Sequence, residues 1–143
     1  MVRFKNRYLL FELAWKDGKF DDSINEAVLL AAFRDSLRQN FGDHGLGTAL
    51  ASFQVKCYNP VSNLCVIRCS RDEYRQVWCS LCLITSIKHR VVAPRLLHLT
   101  GTVASCQRAA EVCHGAATAG RRLTQQQAKA AEEAAARLAA MAV

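Results

Sequence analysis

The 143-residue sequence predicts an α/β sandwich of the α+β kind, one antiparallel sheet with two helices packed on one face. Three observations carry this. Short segments of alternating apolar and polar residues, the mark of half-buried strands, recur along the chain. Between them lie stretches with apolar residues three and four apart, the mark of amphipathic helices. Turn-forming Gly, Pro, Asn and Asp fall at the joints.

The first strand is expected from Arg3 to Leu13, with Arg3, Lys5, Arg7, Leu9, Phe11 and Leu13 on one face. A polar loop around Asp17-Gly18-Lys19 follows. Ser23-Ile24-Asn25-Glu26 reads as a capping box opening a helix, in which Leu29, Phe33, Leu37 and Phe41 recur at helical spacing. Gly42, Gly45 and Gly47 then punctuate a turn. Ser52–Tyr58 alternates as a second strand, with Phe53, Val55 and Cys57 inward and Gln54, Lys56 and Tyr58 outward. Asn59-Pro60 and Ser62-Asn63 connect it to a third strand, Leu64–Cys69. Ser70-Arg71-Asp72-Glu73 reads as a second capping box, before a helix with Tyr74, Val77, Trp78, Leu81 and Ile84 on one stripe. The basic turn Lys88-His89-Arg90 leads through Pro94 to a fourth strand, Arg95–Thr100, and a third helix is expected over residues 103–117. Strand, helix, strand, strand, helix, strand is the order of a ferredoxin-like split βαβ sandwich, here with a helix appended. We take residues 1–119 as this domain. Residues 120–143 change character: nine alanines lie between Thr124 and Val143, with Lys129, Glu133 and Arg137 four apart, which predicts an Ala-rich peripheral helix or flexible tail.

Composition narrows the function. Nineteen Lys+Arg against twelve Asp+Glu give a net charge of +7, a field that attracts polyanions, nucleic acid foremost. No apolar run approaches the roughly 20 residues of a membrane span, and the apolar stretch after the basic start is too short and polar for a signal peptide, so an intracellular protein without a membrane partner is expected. Seven cysteines are an odd number, mostly within apolar runs, and read as reduced core thiols. Cys79-Ser80-Leu81-Cys82 has the CxxC spacing of redox and zinc sites. It lies mid-helix or later, where the macrodipole offers a thiolate little, and no second ligand pair accompanies it, so packing is the expectation and a redox or metal protein the alternative. The four histidines are scattered, the carboxylates cluster at helix starts, and no Gly-rich phosphate loop is present. No protein catalytic site, bound metal or cofactor is expected.

The cations are more informative. Arg3, Lys5 and Arg7 share one face of the first strand, and three stacked cations suit a phosphate backbone. Arg68 on the third strand is expected to extend that patch, and Lys56, Arg71 and Arg75 to widen it. The third strand, Leu64–Cys69, carries no aromatic, so shape and phosphate recognition are expected rather than base stacking on the sheet.

Three strings resemble the Pop-five subunit family of ribonuclease P and ribonuclease MRP. They are Val2-Arg3-Phe4-Lys5-Asn6-Arg7-Tyr8-Leu9-Leu10; Tyr58-Asn59 through Ile67-Arg68-Cys69 with Tyr74 and Val77-Trp78; and Gly101-Thr102-Val103-Ala104-Ser105-Cys106-Gln107-Arg108. They fall in the family's order and span residues 2–113. Ala104 stands where the family usually has a basic residue, which leaves Arg108 as the anchor there, and Thr102 could present a helix start to a phosphate. Ser62-Asn63 replaces the family's usual Thr-Gly in the hairpin turn. The resemblance implies a ferredoxin-like, non-catalytic subunit that buttresses ribonuclease P or MRP RNA in tRNA 5′ maturation or pre-rRNA processing. Hydrolysis would belong to the RNA and its Mg2+ ions, in the nucleus and nucleolus. It also implies a barrel-fold subunit of the Rpp-thirty type and a small fold-related subunit forming a heterodimer, with Leu9, Phe11, Tyr58 and Leu97 as candidate contacts. A free-standing RNA- or ribosome-binding protein of the same fold is the alternative.

Overall fold

A computed structural model describes residues 5–16, 24–50, 52–60, 62–118 and 125–140. Strand β1 (Asn6–Trp15) is followed by α1 (Glu26–Leu50), β2 (Gln54–Asn59), β3 (Leu64–Ser70), α2 (Tyr74–Cys82), β4 (Ser86–Ile87), β5 (Arg90–Thr100), α3 (Val103–Thr118) and α4 (Gln125–Ala140). The sheet order is β2-β3-β1-β5-β4, all neighbours antiparallel. β1 therefore sits between β3 and β5, as the split βαβ arrangement requires. No helix of the described residues is long and apolar enough to cross a membrane.

Alternation along β1 assigns the two faces. Leu9, Phe11 and Leu13 are wholly buried and Trp15 nearly so, against Leu29, Phe33 and Leu37 of α1 and Val77 and Leu81 of α2. Cys65, Ile67 and Cys69 of β3 join them, and Phe53 meets Phe33 edge to face, ring centres 6.4 Å apart. The buried Ser36 hydroxyl donates to the Ser80 carbonyl at 2.6 Å, tying α1 to α2. On the opposite face Leu10, Cys57, Leu64 and Val66 lie under Cys106 and Ala110 of α3 and Leu138 of α4. The pattern foretold helices on one face; α3 and α4 cover the other, giving a second, smaller core.

Several local details differ from the periodic reading, each for a physical reason. The β2–β3 register slips between Val55 and Cys57, so Lys56 is an extra, bulged residue. One extra residue inverts the alternation beyond it: Tyr58, expected outward, is buried with the α1–α2 core, and Cys57 goes to the other face. α1 breaks at Gly42, whose φ of 73° and ψ of −177° belong to a region open essentially to glycine. Gly45 and Gly47, expected in the turn, lie in the helical segment after it.

The helix starts differ too. Ser23, the expected cap of α1, lies outside the described residues; the Asn25 side-chain oxygen accepts the Val28 N–H at 3.0 Å. Ser70 accepts the Asp72 N–H at 3.2 Å, and α2 starts only at Tyr74, with no side-chain bond from its cap Glu73. The second capping box is therefore a turn ahead of the helix. The last strand begins at Arg90 rather than Arg95, because Ser86 pairs with Val91 and Ile87 with Arg90 across a two-residue turn. The turn residues Lys88 (φ 49°) and His89 (φ 64°) are both left-handed, the type I′ pattern, which costs non-glycine residues about 1–2 kcal/mol each.

Candidate nucleic-acid interface

Strand pairing gathers most of the predicted cations at one end of the sheet. The Lys5 carbonyl accepts the Arg71 N–H at 2.9 Å, and beyond it Asn6 pairs with Ser70, Arg7 with Cys69 and Tyr8 with Arg68. On the other side of β1, Tyr8 pairs with Thr100, so Gly101 and Thr102 reach the same rim. The Arg7 Nη1 donates to the Asn6 carbonyl at 3.1 Å, and a Cβ added to Gly101 would lie 3.2 Å from that same nitrogen. Glycine at 101 thus lets the guanidinium approach the strand-to-helix joint. Nothing in the spacing alone announced that role; the Gly-Thr pair at a strand end was its only signal.

Two helix starts open onto this rim. Thr102 Oγ1 accepts the Ser105 N–H at 3.3 Å, capping α3, so the first-turn N–H groups and the positive end of the helix dipole lie at the same end of the sheet as Arg7. Arg108 is exposed about a turn and a half further along α3. Arg75 lies in the first turn of α2, its Nε donating to the Tyr74 hydroxyl at 3.2 Å, a contact that raises its already high pKa. Lys5, Arg71 and Arg75 are exposed, and Arg7 and Arg68 half-buried. Asp72 and Glu73 also sit here and moderate the field. Arg3 lies outside the described residues.

The register corrects one juxtaposition. Residues paired across antiparallel strands share a face, so Arg7 goes with Cys69 whereas Arg68 goes with Tyr8. Arg68 therefore does not extend the Arg7 face. It projects on the α3 side, where its Nε donates to the Ser52 carbonyl at 3.3 Å. The two are joined at the rim but look to opposite sides of the sheet. Lys56, half-buried in the β2 bulge, stands along the sheet edge, away from the rim formed by β1, β3 and β5.

Three of the four expected protein contacts are corrected as well. Leu97 packs against the α3–α4 core but stays half-buried, whereas Leu9, Phe11 and Tyr58 are core residues 0%, 0% and 3% exposed. A side chain filling its own core has no surface to offer a partner. The larger apolar side chains that do reach solvent are others, among them Trp78 (37% exposed), Leu83 (55%) and Val112 (74%).

Thiol chemistry divides by depth. Cys57, Cys65, Cys69 and Cys106 are buried, and burial pushes Cys57 up to about 11 and Cys69 and Cys106 up to about 12. Such thiols are poor nucleophiles and act as packing groups. Cys79 and Cys82, expected in the core, are instead exposed at the end of α2. Among the described residues, no three His, Cys, Asp or Glu side chains could hold a metal ion together.

The model of the Rpp14/Pop5 family matches residues 7–111, from the cationic start of β1 into α3. The chain belongs to the Rpp14/Pop5 family. It is 41% identical over 121 residues to the probable ribonuclease P/MRP protein subunit POP5 of Arabidopsis thaliana, covering 79% of each chain. It is 34% identical over 119 residues to the POP5 subunit of Schizosaccharomyces pombe, covering 77% of this chain and 86% of that one. A chain in the cryo-EM structure of yeast ribonuclease MRP has the same fold, with a TM-score of 0.55 at 15% identity, over 72% of this chain and 79% of the other. The family match includes Arg7, Arg68, Arg71, Arg75, Thr102 and Arg108 and stops short of α4.

Proposed function

We propose that this chain is a non-catalytic protein subunit of a ribonuclease P or ribonuclease MRP ribonucleoprotein. The observation that carries the reading is the cationic rim: within the family-matched span, β1, β3 and the joints that follow β3 and β5 deliver Arg7, Arg68, Arg71 and the capped helix start at Thr102 to one end of the sheet. Cations and helix N-termini converging on one edge suit a phosphodiester backbone, and each phosphate contact releases counterions. Phosphodiester hydrolysis, in tRNA 5′ maturation or pre-rRNA processing, would be the work of the RNA and of Mg2+ held on it. The chain's own task is to hold that RNA in shape, in the nucleus and nucleolus.

Protein partners follow from the same reading: a barrel-fold subunit of the Rpp-thirty type and a small fold-related subunit paired with this chain. The exposed Trp78, Leu83 and Val112 are the side chains suited to such contacts, since large apolar groups left in solvent favour an interface. Purification of the tagged chain from cells followed by sequencing of the bound RNA tests the proposal. Ribonuclease P or MRP RNA should dominate the recovered nucleic acid. Recovery of ribosomes without either RNA would replace it with the free-standing RNA-binding alternative.

A further inference from the structure

We propose that the β4–β5 hairpin is a second RNA-backbone contact, independent of the cationic rim; the inference rests on the reading of the chain as an RNA-binding subunit. The hairpin lies at the opposite end of the sheet, since the start of β5 pairs with the end of β1, Trp15 against Val92. Its tip is Lys88-His89, both exposed and both in left-handed backbone. Two-residue turns of this type favour Asn-Gly or Asp-Gly, which adopt positive φ with little strain. A lysine and a histidine in those places disfavour the turn itself, so turn formation does not account for them.

Further cations stand close to this tip among the described residues. Arg90, at the foot of the hairpin, is held over the Trp15 ring, its guanidinium carbon 4.4 Å from the ring centre. Lys16 stands exposed beside it, its backbone N–H donating to the Val91 carbonyl at 3.0 Å. Among the described residues, the carboxylate of Glu12 on the neighbouring strand is engaged by Arg95 at 2.7 Å. Lys88 has no acidic partner among the described residues. A cation at a projecting tip, with a positioned guanidinium behind it, suits the phosphates of a folded RNA better than an apolar protein surface.

β5 has 11 residues, so the hairpin and the rim stand roughly 33 Å apart at about 3.3 Å per residue. That is several times the Debye length of about 8 Å at physiological salt, so the two sites act separately and their losses should add.

The test uses the full chain and a fluorescent 20-base-pair RNA duplex, with affinity measured across a salt series. The double variant Lys88→Asn/His89→Gly removes both basic side chains while giving the turn its favoured residues. It should melt no lower than the parent chain, bind the duplex about threefold to tenfold more weakly, and show a salt slope shallower by about 0.7–0.9, the loss of one phosphate contact. Combined with Arg71→Ala on the rim, the losses in log affinity should add. If the parent chain fails to bind the duplex, the RNA-binding reading itself falls. If the parent binds and Arg71→Ala weakens it, but the hairpin variant matches the parent in affinity and slope, only the hairpin contact is overturned.

Discussion

The two faces of the sheet are built from different materials. Between the sheet and α1–α2 lie Leu9, Phe11, Leu13, Trp15, Phe33 and Phe53, large side chains that interlock across the layer. Between the sheet and α3–α4 lie Leu10, Cys57, Val66, Cys106, Ala110 and Leu138, fewer and mostly smaller. Free energy from burial scales with apolar area removed from water, so the first face supplies most of the stability and the second holds its helices by close approach. Close approach is visible in Gln107, whose Nε2 donates to the Leu138 and Ala139 carbonyls at 2.6 and 2.9 Å. The lesson is a division of labour: one face fixes the fold, and the other positions the start of α3 at the rim.

Mutations at the two faces should therefore differ in size. Phe33→Ala, in the heart of the larger core, should cost about 3–5 kcal/mol in a urea unfolding curve, the largest effect we expect. Leu138→Ala should cost about 2 kcal/mol, the low end for such a truncation, because its neighbours are small and can close in. Amide exchange would show where: the Leu138 variant should lose protection in α3 and α4 and keep it in α1 and α2. Equal global loss in both variants would erase the distinction between the faces.

Alkaline pH probes both faces at once. Cys69 lies on the α1–α2 side and Cys57 and Cys106 on the other, and all three have folded pKa values raised from 9.0, to about 12, 11 and 12. A raised thiol pKa contributes stability that is fully present below pH 9. It is lost as pH climbs through 11 to 12, because the unfolded chain releases protons that the folded chain keeps. The melting temperature should thus be level with respect to these thiols up to about pH 9 and fall above it. At pH 8 an aromatic disulfide reagent should modify Cys79 and Cys82 quickly in the native chain and the four buried thiols only after denaturation. The smallest effect we expect is on fold, where Cys79→Ser/Cys82→Ser should leave the melting temperature nearly unchanged.

Much of this was legible in the sequence where one short-range rule governs. The element order, the strand positions of Leu9, Phe11 and Leu13, and the stripe of Leu29, Phe33 and Leu37 follow from periodicity, and burial agrees with them. What escaped is what a pattern of fixed period cannot encode. Lys56 occupies an ordinary outward position in a period-two strand, and only pairing with β3 reveals it as surplus. The opposite orientations of Arg7 and Arg68 depend on inter-strand register, which neither strand specifies by itself. The covering of the second face was obscured because α3 and α4 are poor in bulky residues, so their buried side was faint in composition. Leu9 and Phe11 show the reverse error: strong apolar positions in a strand say "buried" before they say "sticky".

A hydrogen bond near the far end of α3 has a mechanical meaning. His114 Nδ1 lies 2.8 Å from the Ser62 hydroxyl, both buried, which pins the last turns of α3 to the β2–β3 turn. α3 has 16 residues and is about 24 Å long. It is a rod anchored at its tail, with its head among the rim cations. Swinging that head would require the tail to unclip, so the clasp holds the rod fixed, and loosening it would be felt a helix-length away.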